Sequence, residues 1–312
     1  MRILFINDTD RVEVARALRE SMRRRRETIE LVATDVIANS PMQLVCDQFC
    51  VIPGTKGSVL ERTVLEIMQA YGIAGVLAGS NFDLPILARL RKRVRDVRLL
   101  CPSDAVIRLA LNKRAYPAFC HQRALLTPRL FRLEAGEIPS FPCVVKPSRG
   151  QGSKSTYVAT SLDEVRDAMQ MVTQPVVQEF VAGKLYTVDV FGDEAGAPIC
   201  CVPRLRERSI HSSSSVSRIE LDEDITAVAT HLGRQLQIKG LYNFQAIKDP
   251  KGRVFVLDIN PRLAPGAVLS MKAGAPFARW TCDLLASGSV RDRRYRIRDG
   301  LSMLRYETQI YK

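Results

Sequence analysis

Several features that would assign this chain to a class at once are missing from its sequence. Its 312 residues include one tryptophan and three histidines, and 6% of the residues are aromatic. No apolar run reaches the roughly 20 residues that a membrane-spanning helix requires. The opening MRILFIND meets charged residues too soon for a secretory signal peptide. We therefore expect a cytoplasmic protein without a membrane partner.

The eight cysteines lack the spacing of a metal site or of a disulfide scaffold. There is no CxxC pair, and the CxxxC pair Cys46 and Cys50 has no histidine near it. Most of the cysteines lie among apolar residues, where reduced and buried thiols are common. The sequence predicts neither a structural zinc site nor disulfide bonds.

Positive charge is abundant, with a formal net charge of +13. The runs MRRRRE (22–27) and RLRKRVRDVR (89–98) are similar to basic nucleic-acid surfaces. The aromatic residues are not interleaved with them, however, so no platform for stacking bases is visible. We expect solvated helix faces that attract small anions, and no nucleic-acid partner.

Residues 1–104 alternate strand-like runs with amphipathic helical patterns. RILFIN, IELVAT and AGVLAG indicate strands, and the patterns at 11–22, 59–71 and 84–94 indicate helices. This alternation is typical of a parallel, doubly wound sheet, so a Rossmann-like domain is expected. The dinucleotide fingerprint GxGxxG is absent after the first strand, where the sequence has INDTDR, and no NAD site is predicted.

After residue 104 the pattern favours an α+β unit with largely antiparallel strands. Strands are expected at 143–147, 155–159, 175–180, 185–191 and 197–202, and on both sides of the KDPKG turn. Helices are expected from Ser161, over 222–237 and over 276–286. The serine run HSSSSVS (211–217) predicts a mobile loop.

Polar side chains interrupt two otherwise apolar strands in YNFQAIKDPKGRVFVLDINPR (242–262). Asp258 and Asn260 are two residues apart, so they project from one face, and a hairpin brings Gln245 alongside. Three oxygen-bearing side chains on one sheet face suit a hard cation such as magnesium. Arg262 follows, where it can clamp a phosphoryl group or a carboxylate.

A glycine-rich turn, KPSRGQGSKST (146–156), supplies a second candidate site. The backbone at Gly150 and Gly152 can approach phosphates closely, and Lys146 can neutralise their charge. The turn does not satisfy GxxxxGK[ST] and is followed by a strand, so it is not a P-loop. Taken alone, the segment is equally consistent with an ordinary turn.

Arginines recur in PRLRERSIH (203–211). Arg204, Arg206 and Arg208 share parity, so an extended strand would present them on one side. We expect them to contact an anionic substrate or a transferred phosphoryl group, with a solvated edge strand as the alternative. Asp189 either supports the metal site from behind or faces solvent.

Taken in order, Lys113, Lys146 with RGQGS, VVQEFVAGKLY, NFQAI and VLDINPR resemble the ATP-grasp superfamily. The resemblance is strongest to the carbamoyl phosphate synthetase large subunit and its stand-alone amino-acid ligase relatives. SNFDLPILARL and NPRLAPGAVLSMKAGAPFARW extend it over nearly the whole chain. It implies a two-subdomain ATP-grasp core: a small subdomain with the glycine-rich loop (105–180) and a large subdomain with the metal site and C-terminal tail (181–312).

The resemblance implies a role for each matching residue. The ATP phosphates would be bound by Lys113 and Lys146 and covered by a loop. That loop would contain Gly150, Gly152 and Ser153, and the adenine edge would be read by the hinge strand at Glu179, Phe180 and Val181. The metal ligands would be Gln245, Asp258 and Asn260, with Arg262, Arg204 and Lys146 as the catalytic cations.

Enzymes of this kind phosphorylate a carboxylate with ATP and let an amine displace the phosphate. We therefore expect a carbon–nitrogen-bond-forming ligase that uses ATP with magnesium, or manganese in its place. Its substrates would be a small-molecule carboxylate and an amine, with an amino acid or small peptide as the acid. Two alternatives stay open: phosphorylation of a carboxylate or carbamate of the carbamoyl phosphate synthetase type, and a non-catalytic nucleotide-binding regulator. A homodimer is an expectation from the family.

Three positions depart from the family pattern. Asp258 stands where glutamate is usual, and Leu185 stands where relatives place a glutamate on the ribose hydroxyls. The HSSSS segment replaces a glycine-rich stretch. These departures favour the regulatory alternative, whereas the intact Lys146, Asn260 and Arg262 favour an enzyme.

Overall fold

The computed structural model describes residues 1–6, 11–24, 26–54, 57–150, 155–210 and 213–306. Within these residues the strands form a five-stranded, a four-stranded and a six-stranded sheet, called here the N-terminal, small and large sheets. They occupy residues 2–99, 130–179 and 184–304. The domain boundaries at 104 and 180 stay predictions.

The N-terminal sheet is parallel, with strand order β3-β2-β1-β4-β5. Its strands are β1 (Arg2–Ile6), β2 (Glu30–Asp35), β3 (Gln48–Val51), β4 (Gly75–Ala78) and β5 (Arg98–Leu99). Helix α1 (Val12–Arg23) packs on one face, while α2 (Ser58–Ala70) and α3 (Leu84–Leu90) pack on the other. The predicted doubly wound sheet is confirmed, with β3 and β5 as strands that the sequence pattern did not predict.

Two helices lead from the N-terminal sheet to the small sheet, α4 (Asp104–Leu111) and α5 (Tyr116–His121). The small sheet is antiparallel, in order β6-β9-β7-β8, and α6 (Leu162–Met171) packs against it. Its strands are β6 (Leu130–Phe131), β7 (Cys143–Pro147), β8 (Tyr157–Ala159) and β9 (Pro175–Glu179). The predicted strand at 155–159 therefore begins two residues later.

The large sheet is antiparallel, in order β14-β13-β10-β11-β12-β15. Its strands are β10 (Lys184–Gly192), β11 (Pro198–Ile210), β12 (Ser213–Ile219), β13 (Gly240–Lys248), β14 (Val254–Asn260) and β15 (Ser302–Leu304). Helix α7 (Glu223–Leu236) packs on one face. Helices α8 (Ala267–Lys272) and α9 (Phe277–Ser287) cover part of the other face.

The prediction of a mobile loop at 211–217 is wrong for residues 213–217, which belong to β12. This strand pairs with β11 on one side and with β15 on the other. The ladder hydrogen bonds on both edges fix the backbone whatever the side chains, so serine composition does not decide the outcome. Residues 211 and 212 lie outside the described residues.

The N-terminal and large sheets share one hydrophobic core. Helix α9 packs against α1, β4, β5 and β13, and its Trp280 is fully buried beside Phe191. The approach is close at Gly75 on β4, where an added side chain would meet Leu285 at 2.9 Å. This packing brings the carboxyl end of β4 to the end of β14. No helix in the described part of the chain has the length and apolar character needed to cross a bilayer.

Candidate functional site

The predicted metal ligands lie on the face of the large sheet opposite α7. Gln245 on β13 is the direct partner of Asp258 on β14, and Asn243 is the partner of Asn260. The intervening apolar residues, among them Tyr242, Phe244 and Ile259, point into the core beneath α7. The alternation of polar and apolar residues therefore separates a buried face from a site-bearing face.

The Asp258 carboxyl group is half-buried and surrounded by positive charge. Burial raises its pKa, and the charges of Lys113, Lys146 and Arg262 oppose that rise without cancelling it. Among the described residues neither Lys113 nor Lys146 forms an ion pair with the carboxylate. Two lysines that face one carboxylate leave an excess of positive charge, which suits a polyanion such as a nucleoside triphosphate.

Lys146 reaches the site from β7 of the small sheet. Burial lowers its pKa to about 8; Asp258 raises that pKa and Lys113 lowers it further. Two lysines that are close enough to repel one another are stabilised when an anion lies between them. The small sheet thus supplies Lys146, and the turn between α4 and α5 supplies Lys113, opposite a carboxylate on the large sheet.

Lys113 is tied to the glycine-rich turn. Its Nζ donates to the carbonyl oxygens of Pro147 at 3.4 Å and Gly150 at 3.2 Å. Its backbone amide donates to the carbonyl oxygen of Ser148 at 2.9 Å. Gly150 is exposed with φ +131°, a left-handed conformation that favours glycine, and no atom of the described residues lies within 4 Å of the position of a Cβ. The close approach of a phosphate to this backbone stays a prediction. Gly152 and Ser153 lie outside the described residues.

The predicted adenine-reading hinge follows the end of β9 at Glu179. The backbone amide of Glu179 donates to the carbonyl oxygen of Arg129 at 2.8 Å, and its carboxylate accepts from the Arg129 amide at 3.1 Å. Phe180 is 39% exposed and Val181 is half-buried. These residues connect the small sheet to β10, and their contact with adenine stays a prediction.

Arg204, predicted to contact an anion, lies in a buried ion pair. Its Nε and Nη2 donate to the two carboxylate oxygens of Asp189 at 2.7 and 3.0 Å. Ser270 Oγ donates to the same carboxylate at 2.6 Å. Asp189 is completely buried and Arg204 is 3% exposed, so the expectation that Asp189 faces solvent is wrong. Two of the Arg204 donors are occupied by Asp189, and its catalytic role stays a prediction.

The regular alternation assumed for the arginines of β11 is interrupted. The register with β12 shifts between Arg206 and Arg208 and again after Arg208, as in a β-bulge. Arg206 is half-buried, whereas Arg208 is exposed. A bulge cannot be read from the spacing of the charged residues, which is why parity alone was insufficient here.

Sequence reasoning missed Asn81, which lies in the loop after β4. Its Nδ2 donates to Oδ1 of Asn260 at 3.1 Å, and both side chains are buried, with 2% and 6% exposure. A signal was available, because polar residues at the carboxyl end of a parallel strand commonly line the ligand site of a doubly wound fold. SNFD directly follows the strand AGVLAG in that position.

Gln245, Asp258 and Asn260 fit a magnesium ion that retains other ligands. The described residues contain no cluster of three or more histidine, cysteine, aspartate or glutamate side chains. Within the predicted ligand set Asp258 supplies the carboxylate, and the two amide side chains add neutral oxygens. Magnesium is commonly held by one or two carboxylates together with phosphate oxygens and water. The donor set therefore suits a metal that arrives with a nucleotide.

Residues 171–309 match a family model described as ATP-grasp in the biosynthetic pathway with Ter operon. The carbamoyl phosphate synthase large chain of Thermotoga maritima is 28% identical over 198 residues, which are 57% of this chain and 18% of that one. The chain thus spans less than a fifth of the length of that relative.

Solved structures extend the similarity over the fold. The biotin carboxylase domain of Hydrogenobacter thermophilus 2-oxoglutarate carboxylase, in complex with MgADP, has a TM-score of 0.76 at 16% identity, over 96% of this chain and 73% of that one. The L-amino acid ligase of Bacillus licheniformis has a TM-score of 0.70 at 16% identity, over 93% of this chain and 77% of that one. The predicted fold and the ATP-grasp resemblance are confirmed.

Proposed function

We propose that this ATP-grasp protein is an ATP-dependent carboxylate–amine ligase. It would transfer the γ-phosphoryl group of ATP to a carboxylate and let an amine displace phosphate from the acyl phosphate. The observation that carries the proposal is the setting of Asp258, a half-buried carboxylate that faces Lys113 and Lys146 and forms no ion pair with either of them among the described residues.

The chain's own charges match what phosphoryl transfer requires. Lys146 on the small sheet and Lys113 in the turn between α4 and α5 neutralise the ATP phosphates, and Arg262 contacts the transferred group or the accepting carboxylate. Gln245, Asp258 and Asn260 would hold magnesium, or manganese in its place, and the bound metal would neutralise phosphate charge. Electrostatic stabilisation and positioning supply most of the rate in such reactions, so no protein nucleophile is needed.

The comparisons support this choice of reaction. One similar structure is named an L-amino acid ligase, and another was solved with MgADP and bicarbonate. We propose an amino acid or small peptide as the acid and a small amine as its partner. We further propose a cytoplasmic homodimer, supported by the dimer of the biotin carboxylase domain.

A regulatory nucleotide-binding protein is the second candidate, because of Leu185. This residue lies on β10 opposite Ile247, on the same face as Asp189. Its side chain has no group that can hydrogen-bond a ribose hydroxyl, so nucleotide affinity would be weaker than with glutamate there.

The test is release of phosphate from ATP and magnesium with a panel of amino acids, singly and in pairs. Hydroxylamine is added to trap any acyl phosphate as a hydroxamate. We expect phosphate release with particular acids. The rate of release should decrease at least about 100-fold in Lys146→Gln, because a positive charge beside the ATP phosphates is lost. Lys248→Gln is the matched control, since Lys248 pairs with Asp222 and Asp224 near α7, away from the cleft.

Either negative result is informative. ATP binding without release or hydroxamate for any acid would replace the ligase with the regulatory protein. A wild-type chain that does not bind ATP with magnesium would contradict both candidates.

A further inference from the structure

Asn81 is held rigidly in the loop that follows β4. The backbone amide of Ser80 donates to Oδ2 of Asp83 at 2.8 Å, and the amide of Phe82 donates to Oγ of Ser80 at 3.1 Å. Asp83 is itself 3% exposed. These contacts fix the backbone on both sides of Asn81, whose side chain points away from solvent and reaches Asn260 on the large sheet.

Folding stability explains the amide nitrogen at this position, which satisfies the buried Oδ1 of Asn260, but not the amide oxygen. Oδ1 of Asn81 is buried and has no hydrogen-bond partner among the described residues. Leaving a buried polar atom unpaired costs about 1–3 kcal/mol. An apolar side chain of similar size would remove that cost at this atom.

A second buried amide next to Asn260 has the same property. Asn243 is the cross-strand partner of Asn260 and is 4% exposed. Its Nδ2 has no hydrogen-bond partner within the part of the chain that the structure describes. Asn260 thus lies between two amides that each keep one unsatisfied polar atom in the interior. Unsatisfied buried atoms concentrated beside one residue indicate a site organised for ligand rather than for stability.

We propose that Asn81 is a positioning residue for the metal site. The hydrogen bond from its Nδ2 uses one lone pair of Asn260 Oδ1 and fixes the plane of that amide. This hydrogen bond leaves the second lone pair of Asn260 Oδ1, rather than the Asn260 nitrogen, to bind a cation that Asp258 and Gln245 would also hold. The inference rests on the proposed function, because it takes Asn260 as a metal ligand.

The proposal means that the loop after β4, in the N-terminal domain, contributes to the metal site. Asn81 and Asn260 are 179 positions apart and come from different sheets, joined by the core around α9. Removing a group that orients a metal ligand typically lowers metal affinity by about 10- to 100-fold.

The test is a titration of Mg²⁺ into the full chain at fixed ADP, followed by calorimetry, in the wild type and in Asn81→Leu. We expect the Mg²⁺ concentration at half-saturation to rise about tenfold or more in the variant. Thr34→Val is the matched control, because it removes a buried hydrogen bond to the carbonyl oxygen of Phe5 in the same sheet, on a strand that does not adjoin β4. Its Mg²⁺ titration should be unchanged.

Thermal unfolding of the same samples separates a folding defect from a metal defect. If Asn81→Leu does not fold, Asn81→Ser, whose side chain is too short to reach Asn260, is titrated with the same expected rise. An unchanged half-saturation in the folded variant would overturn the inference and leave the proposed function standing. A wild-type chain whose ADP binding does not depend on Mg²⁺ would overturn both.

Discussion

Two aspartates on one face of the large sheet have opposite surroundings. Asp189, on β10, is fully buried and accepts two hydrogen bonds from Arg204 and one from Ser270. Asp258, on β14, is half-buried and has cations around it, yet forms no ion pair among the described residues. One face of the sheet therefore carries one carboxylate in an ion pair, Asp189, and one without an ion pair among the described residues, Asp258.

The difference shows which carboxylate serves the fold and which serves a ligand. A buried charge needs a well-placed partner and further hydrogen bonds to offset its desolvation, and Asp189 has both. Burial without such partners raises the pKa of Asp258, as is common for carboxylates of functional sites. The charge of Asp258 is therefore a cost to the free protein that a bound metal and nucleotide would offset.

The largest effect is expected at Asp189. Asp189→Asn would leave the buried guanidinium of Arg204 without its charge partner, which costs about 3–5 kcal/mol of unfolding free energy. Urea unfolding measures this loss. Asp163→Asn is the control, because its ion pair with Arg166 is exposed and should contribute about 0.5 kcal/mol or less. A loss below about 1 kcal/mol at Asp189 would remove the contrast between the two aspartates.

The reverse pattern is expected at Asp258. Asp258→Asn should lower phosphate release on the order of 100-fold, since a metal ligand and a charge at the transferred group are lost. Its unfolding free energy at neutral pH should not fall, because a raised pKa means that the folded state disfavours the carboxylate. Both quantities are measured on one preparation. A parallel loss of stability would place Asp258 with Asp189 as a structural residue.

The local part of this site could be predicted from the sequence. Gln245, Asp258 and Asn260 lie on one face, as the period of two and the short KDPKG turn require. Their role as metal ligands stays a proposal. The helix that begins after Ser161 and the parallel N-terminal sheet follow from equally local patterns.

The rest depended on contacts between distant segments. The hydrogen bond from Asn81 to Asn260 depends on the core that joins the two sheets, and the local pattern at SNFD indicates a site residue but not its partner. Arg204 has the parity expected of a site residue, but parity does not reveal that Asp189 on the neighbouring strand takes its charge. Likewise, β12 forms because β11 and β15 offer ladder partners, which composition alone does not report.

The smallest expected effect is the pH dependence of nucleotide binding at Lys146, which faces Asp258. The pKa of Lys146 is about 8 in the free protein, because of burial. If its charge holds phosphate, the dissociation constant for MgADP should rise above pH 8 by up to about tenfold per pH unit. Lys146→Arg, which stays charged at any accessible pH, should abolish the rise.

The unfolding free energy without nucleotide should increase with pH over the same range. Between pH 8 and about 10.5 the unfolded chain keeps the proton that Lys146 has lost in the folded chain, so a higher pH favours the folded state. Calorimetric titrations and urea unfolding between pH 7 and 9.5 test both. A dissociation constant that is flat across pH 8 in the wild type would show that Lys146 does not hold the phosphates.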